Sequence, residues 1–244
     1  ERMDALLVSL DREAGRTGFS GVVRVDRAGA EPVLAAYGMA DRAHGVAMTT
    51  GHQLGTASLT KGLTAMTVLS LVADGSLTLA TPARAVLGAD LPLIDDAVTV
   101  EQLLCHRSGI GDYLDEDLLE SADDYIMPVP VHLLASSGDY LAILDGHPQR
   151  TAPGAEFRYN NGAFVVLAVI AERVGGLPFH DLVVRRVCDP AGMPDTRFLR
   201  MDELPGRAAT GYLAADGLRT NVLHLPVRGS GDGGCFTTVA DVQA

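Results

Sequence analysis

The chain has 244 residues, of which 47% are hydrophobic and 5% aromatic, and its formal net charge is −12 at pH 7. This composition is typical of a folded globular protein rather than a disordered one, and the excess of acid argues against nucleic-acid binding, which needs a basic face. The chain has no uninterrupted apolar run long enough to span a bilayer and no signal-peptide pattern at its N-terminus. We therefore expect no membrane span and favour the cytoplasm.

The N-terminal part of the chain predicts a helix, a hairpin and a loop. Residues 3–14 repeat apolar positions at helical spacing, which indicates an N-terminal helix. Two strand-like stretches, 21–26 and 32–37, flank the turn-rich residues 27–30 and predict an antiparallel hairpin. From Gly38 to about Thr56 we expect a loop.

The segment after this loop predicts a buried helix. Residues 58–73 read SLTKGLTAMTVLSLVA and carry no charge after Lys61. A helix that is apolar around most of its circumference is expected to be buried, and Asp74-Gly75 supplies the end, with glycine in the favoured position. Ser58 therefore lies at the mouth of the helix, where backbone N–H groups and the helix dipole favour a developing negative charge.

The rest of the chain predicts short helices and loops. The predicted helices cover 100–106, 139–145, 162–174 and 177–188, the predicted loops cover 82–99 and 229–234, and 205–228 shows short strand and turn signals. Residues 112–124 contain seven acids and no base. We interpret these acids as a solvated surface or lid, with a rim that selects cationic substrates as the alternative.

One lysine stands out among nineteen basic residues. Lys61 is the only lysine of the chain and follows Ser58 by three positions. Arginine cannot be deprotonated in a protein, whereas lysine can be tuned to act as a base. Serine and lysine one helical turn apart place hydroxyl and amine on the same face, which is the geometry of a serine nucleophile activated by an amine.

A second proton-handling group is expected, because an amine with the reference lysine pKa of about 10.4 is protonated at neutral pH. Tyr159 and Asn161 stand two residues apart just before the apolar segment 162–174. A tyrosine and a lysine can share a proton, so either the phenolate or the neutral amine can take the serine hydrogen. Asn161 would hold the carbonyl of an amide or ester substrate.

Three segments in this order resemble the class C β-lactamase-like serine hydrolase family. They are Ser-Leu-Thr-Lys at 58–61, LLCHRSGI at 103–110 and PGAEFRYNNGAF at 153–164. The family includes β-lactamases, penicillin-binding D-amino-acid peptidases and family VIII-type carboxylesterases. The resemblance extends over most of the chain, since 21–41, 69–79 and 233–242 are similar to the family's first hairpin, a helix exit and a later helix start.

The resemblance implies roles for four residues and a fold. Ser58 would be the acylated nucleophile, Lys61 and Tyr159 the general base and acid, and Asn161 a substrate-positioning group. The implied fold is α+β and β-lactamase/transpeptidase-like, with an antiparallel sheet flanked by helices beside a mostly helical lobe. We expect one catalytic domain over 1–244, with a sheet lobe (about 1–50 and 205–244) and a mainly helical lobe (about 51–204).

One family feature is missing from these residues. The family's third motif, Lys-Thr-Gly or His-x-Gly on a strand that lines the site, does not occur in the sequence. We expect that the protein continues beyond Ala244 to that strand; the alternative is a shortened, impaired member. That alternative supports a rival function, a non-catalytic β-lactamase-like binding or scaffold module.

The sequence predicts no cofactor and no metal. Seven scattered histidines never form His-Glu-x-x-His, and three cysteines without metal-type spacing are expected to be reduced and mostly buried thiols. No Gly-x-Ser-x-Gly is present, which excludes the nucleophile elbow of an α/β-hydrolase. The expected partner is a small ester, amide or β-lactam substrate, with esters favoured; the oligomeric state stays open.

Overall fold

A computed structural model describes residues 2–116 and 126–244 of the chain. Its strands pair two by two, and each pair is antiparallel. They are β1 (Gly21–Val25) with β2 (Val33–Tyr37), β3 (Met39–Asp41) with β4 (Val46–Ala47), and β5 (Leu54–Gly55) with β6 (Phe236–Thr237).

Helices make up most of the remaining regular structure of the described residues. The α-helices are α1 (Arg2–Thr17), α2 (Thr60–Ala73), α3 (Ala83–Leu87), α4 (Val100–Leu104), α5 (Leu141–Leu144), α6 (Asn161–Gly175), α7 (Phe179–Val183), α8 (Asp189–Ala191) and α9 (Val239–Gln243). Short 3₁₀ turns cover Ala57–Leu59 and Val131–Leu133, and a π-helical turn, Val184–Cys188, continues α7.

The predicted N-terminal helix and hairpin are confirmed. β1 and β2 pair from Gly21 opposite Tyr37 to Val25 opposite Val33. The Tyr37 hydroxyl donates a hydrogen bond of 2.9 Å to Asp11 of α1, which ties the helix to the hairpin.

Two predicted loops contain short regular elements, so these predictions were wrong. The segment 38–56 holds β3, β4 and β5, and the segment 82–99 holds α3. Strands of two or three residues are too short to show a period-2 pattern. β5 exists because it pairs with β6, which lies far away in the sequence, and local sequence carries no signal for such a partner.

The core is built around α6. Its residues from Asn161 to Ala171 are buried, and it packs against α2, α3, α4 and α7. Near the end of the helix, Gly175 allows close packing of α7, because a Cβ there would lie 2.7 Å from the Leu182 side chain. Asn160 begins the helix: its side-chain oxygen accepts a 2.6 Å hydrogen bond from the Ala163 N–H, the usual arrangement at a helix N-cap.

The sequence predicted that α2 is buried around most of its circumference, but the structure buries only one side of it. Its inner side, including Leu63, Val68 and Leu71, is buried, but Met66 is 49% and Leu69 45% exposed. A helix of small and apolar residues on all sides gives no polar face from which its orientation could be inferred.

Among the described residues, no single helix is long and apolar enough to cross a membrane. Asn161–Gly175 and Phe179–Ala191 meet such a criterion only as a pair, and they are bent by 81° relative to each other.

Candidate active site

Ser58 lies in the 3₁₀ turn that leads into α2. The residue is exposed and lines the large cavity of the described structure. The preceding residue, Ala57, has a φ of 43°, a left-handed conformation that costs a non-glycine residue about 1–2 kcal/mol. The predicted position of Ser58 at the mouth of the helix is confirmed, with a tighter turn than an α-helix.

Lys61 is buried directly behind Ser58. It is only 7% exposed, and its Nζ lies 3.1 Å from Ser58 Oγ, 2.7 Å from Asn161 Oδ1 and 2.7 Å from the main-chain oxygen of Asp232. Three oxygen atoms therefore surround the amine, and two of them are carbonyl oxygens that can only accept hydrogen bonds.

Tyr159 also contacts Ser58. Its hydroxyl lies 2.8 Å from Ser58 Oγ, and Lys61 Nζ lies 4.8 Å from the centre of its ring. The structure thus brings together Ser58, Lys61, Tyr159 and Asn161, the four residues singled out from the sequence.

The partners of Lys61 determine where its lone pair can point. A neutral amine has two N–H bonds and one lone pair. Asn161 Oδ1 and the Asp232 carbonyl oxygen must receive the two N–H bonds because they cannot donate. In that neutral form the lone pair faces Ser58, whereas the protonated amine donates a third hydrogen bond to Ser58 Oγ. The arrangement allows Lys61 to remove the proton of Ser58.

The side chain of Asn161 is fully engaged by protein groups. Its oxygen accepts from Lys61, and its Nδ2 donates to the Leu114 carbonyl at 2.9 Å and to Glu116 Oε1 at 3.0 Å. With the residue only 2% exposed, Asn161 here orients Lys61. Contact with a substrate carbonyl stays a prediction.

Asp112 was predicted in a solvated acidic surface, and this was wrong. The residue is 8% exposed, and its carboxylate accepts the N–H groups of Asn161 at 2.7 Å and of Gly162 at 2.8 Å. Burial raises the pKa of Asp112, and the backbone hydrogen bonds from Gly162, Asn161 and Leu114 oppose that shift. It holds the start of α6, as acidic groups at helix N-termini do. The acidic residues between 117 and 124, for which the same exposure was predicted, lie outside the described residues.

His106 lies in the turn after α4 and packs against Tyr159. It has a φ of 54°, and its Nδ1 accepts the Asn160 N–H at 3.1 Å. The rings of His106 and Tyr159 lie 4.6 Å apart. Burial, followed by the charge of Lys61, lowers the pKa of His106, which favours the neutral ring that this acceptor role needs.

The glycine-rich loop 229–234 is the part of the site that sequence reasoning did not connect with Lys61. Besides the carbonyl oxygen of Asp232, it carries a carboxyl group whose Oδ2 accepts a 2.5 Å hydrogen bond from the Tyr113 hydroxyl. Burial raises the pKa of Asp232, and the hydrogen bond from Tyr113 opposes that shift. A glycine-rich loop was a detectable signal, but its partner in α2 was not.

The beta-lactamase family profile matches residues 5–244. The chain belongs to the beta-lactamase family. Esterase EstB of Burkholderia gladioli is 33% identical over 226 residues, which cover 86% of this chain and 54% of that protein. A D-aminopeptidase of Brucella canis is 28% identical over 235 residues, which cover 93% of this chain and 42% of that protein. The chain spans about half the length of the curated relatives it matches.

Solved structures of the beta-lactamase fold agree closely with this one. A penicillin-binding protein from Bacillus halodurans superposes with a TM-score of 0.88 at 33% identity, over 96% of this chain and 71% of that one. D-amino acid amidase from Ochrobactrum anthropi SV3, complexed with D-phenylalanine, gives a TM-score of 0.79 at 26% identity, over 100% of this chain and 69% of that one. The predicted α+β, β-lactamase/transpeptidase-like fold is confirmed.

In this member of the beta-lactamase family, Ser58 opens onto a cavity of about 870 Å³. Much of its lining is apolar, including Met39, Met48, Leu54, Met127, Met201 and Phe236. Methionine side chains are flexible and adapt to irregular apolar shapes. No three His, Cys, Asp or Glu side chains of the described part cluster in a way that could hold a metal ion.

Proposed function

We propose that the protein is a serine hydrolase that cleaves an ester or amide bond, including that of a β-lactam, through an acyl-enzyme on Ser58. One observation carries the proposal: Ser58 Oγ lies within hydrogen-bond distance of both Lys61 Nζ, at 3.1 Å, and the Tyr159 hydroxyl, at 2.8 Å. Family membership and the names of the esterase and D-aminopeptidase relatives support it.

In the acylation step, Ser58 Oγ forms a bond to the substrate carbonyl carbon. Its proton passes to the lone pair of Lys61, and Tyr159, which donates towards Ser58 in the resting state, gives its proton to the leaving group. The proton gained by Lys61 then restores the Tyr159 hydroxyl. The net transfer is one proton from serine to leaving group.

In the second step, water attacks the acyl carbon and loses a proton to the same pair, and Ser58 Oγ leaves as the hydroxyl. We propose that the N–H group of Ser58, in the 3₁₀ turn before α2, stabilises the negative oxygen that develops on the carbonyl. One such donor contributes about 2.7–4 kcal/mol to transition-state stabilisation in other serine hydrolases.

We propose esters with an apolar group as the first substrates to test. The apolar lining of the cavity favours a bulky, flexible apolar group next to the scissile bond, and the relative EstB is an esterase by name. We also propose that the site lies where the two lobes expected from the sequence meet, since Ser58 and Tyr159 belong to 51–204 and Asp232 belongs to 205–244.

Labelling with a fluorophosphonate, a reagent that phosphonylates activated serines with loss of fluoride, tests the proposal. We expect the intact mass of the protein to increase by one adduct, and we expect the Ser58→Ala variant to gain none. An adduct on both proteins would place the reactive group elsewhere.

No adduct on the folded wild-type protein would favour the second candidate, a non-catalytic binding or scaffold module. The sequence feature behind that candidate is the absence of Lys-Thr-Gly and His-x-Gly from these 244 residues.

A further inference from the structure

The proposed mechanism uses only the main-chain oxygen of Asp232, which any residue could supply. The chain nevertheless places a carboxyl group there, and the residue is 8% exposed. A buried carboxyl group is costly unless it forms hydrogen bonds. The side chain of Asp232 therefore requires an explanation of its own.

The loop around Asp232 is fixed to both central helices. A Cβ at Gly231 would lie 2.0 Å from the Phe164 carbonyl oxygen, so the loop backbone touches α6. The Thr64 hydroxyl of α2 donates to the Gly231 oxygen at 2.7 Å. The residue before Asp232 is thus anchored against α2 and α6.

The side chain of Asp232 makes a third attachment. Its Oδ2 accepts the Tyr113 hydroxyl at 2.5 Å. Tyr113 lies in the segment 112–116, whose Leu114 and Glu116 also accept the Nδ2 hydrogens of Asn161. One short segment therefore contacts both residues whose oxygens accept hydrogen bonds from Lys61.

We propose that Tyr113 and Asp232 are positioning residues, whose hydrogen bond fixes the Asp232 carbonyl oxygen so that the lone pair of Lys61 points at Ser58. The inference rests on the proposed function. Without the bond, the Asp232 carbonyl moves relative to Lys61, and the amine spends less time in the geometry that removes the serine proton.

The hydrogen bond, rather than the negative charge, is the feature that matters in this proposal. A carboxamide oxygen can accept from the Tyr113 hydroxyl as a carboxyl oxygen does. Asp232→Asn keeps the bond and removes the charge, Asp232→Ala removes both, and Tyr113→Phe removes the bond with the least change in shape.

The test measures the rate of fluorophosphonate labelling of Ser58 against probe concentration, which separates the maximal rate from the half-saturating concentration. We expect Tyr113→Phe and Asp232→Ala each to lower the maximal rate by about tenfold, the effect of one lost hydrogen bond, with the half-saturating concentration unchanged. The double variant should be no slower than either single variant, because both remove the same bond. Asp232→Asn should recover most of the lost rate.

Tyr37→Phe is a matched control, because it removes a tyrosine hydroxyl that donates to an aspartate, Asp11, in the hairpin region. It should label at the wild-type rate. Thermal unfolding of each variant shows that the compared proteins are folded.

Three results would overturn the inference: a wild-type maximal rate in Tyr113→Phe, an Asp232→Asn variant as slow as Asp232→Ala, or a change confined to the half-saturating concentration. An unlabelled wild-type protein would instead overturn the proposed function, and the inference with it.

Discussion

At the scale of single residues, arginine cannot replace the one lysine. An arginine at position 61 keeps the positive charge, but it offers no lone pair to Ser58 because it stays protonated. We expect Lys61→Arg to slow fluorophosphonate labelling at least 100-fold, the lower end of what a general base contributes. The measurement is the labelling rate of the purified, folded variant.

The reverse exchange at an exposed site provides the control. Arg12→Lys in α1 changes the same two residue types on the surface and should leave the labelling rate unchanged. A Lys61→Arg protein that labels at the normal rate would contradict the mechanism and leave the lone lysine without a chemical role.

Residues of the site could be predicted from the sequence where their signals are local. Ser58 and Lys61 are three positions apart, and Tyr159 and Asn161 are two apart, so each pair forms a short motif. The partners that hold them could not be found this way, because Tyr113 and Asp232 are 119 positions apart.

At the scale of elements, the start of α6 depends on one buried carboxylate. Asp112 accepts the N–H of Leu114 in its own segment and, at the start of α6, the two N–H groups of Asn161 and Gly162. Asp112→Ala leaves both donors buried without a partner, which we expect to lower the free energy of unfolding by about 2–4 kcal/mol. Urea denaturation followed by circular dichroism measures the loss.

Asp139→Ala is the comparison for this prediction. Asp139 also accepts two backbone N–H groups, from Ala135 and Ser136, but at an exposed turn where water can replace it. Asp139→Ala should lower the free energy of unfolding clearly less than Asp112→Ala does. Equal decreases in the two variants would show that the helix start does not depend on Asp112.

Long periodic elements were predictable and short ones were not. α1, α2, α6 and the β1–β2 hairpin carry repeating apolar positions over many residues. β5 and β6 have two residues each and exist only through pairing across the fold. The burial of Asp112 was missed because it also depends on a distant partner. A run of acidic residues usually indicates solvent exposure, but Asp112 is buried because it contacts the start of α6.

At the scale of the whole molecule, we expect stability to fall in mild acid through His180. Burial, followed by the charge of Arg228, lowers the pKa of His180 to about 4, while its unfolded value is about 6.5. Between pH 4 and pH 6.5, His180 is therefore protonated in the unfolded chain but neutral in the folded protein. The neutral form of His180 contributes about 3 kcal/mol to the free energy of unfolding above pH 6.5, and this contribution is lost as the pH falls to 4.

Urea unfolding of the wild type and His180→Gln at pH 7 and pH 4.5 checks this prediction. Glutamine can still donate to the Gly229 carbonyl, which His180 contacts at 2.7 Å, but it does not titrate. The stability difference between the two pH values should be smaller in the variant. Asp112 and Asp232 act in the opposite direction, because their pKa values are raised in the fold, and they are common to both proteins. Equal pH dependence in both proteins would remove His180 as the cause.

The burial of Lys61 among three oxygen atoms has a further consequence for spectroscopy. Because the sequence contains a single lysine, growth on ¹⁵N-lysine places one isotopic side-chain label in all 244 residues, and that label is the amine behind Ser58. Its resonance would need no assignment, and its chemical shift would follow the gain and loss of a proton by one nitrogen atom while substrate analogues are added. Because every other basic residue of this sequence is arginine, the single labelled amine reports selectively on the candidate active site.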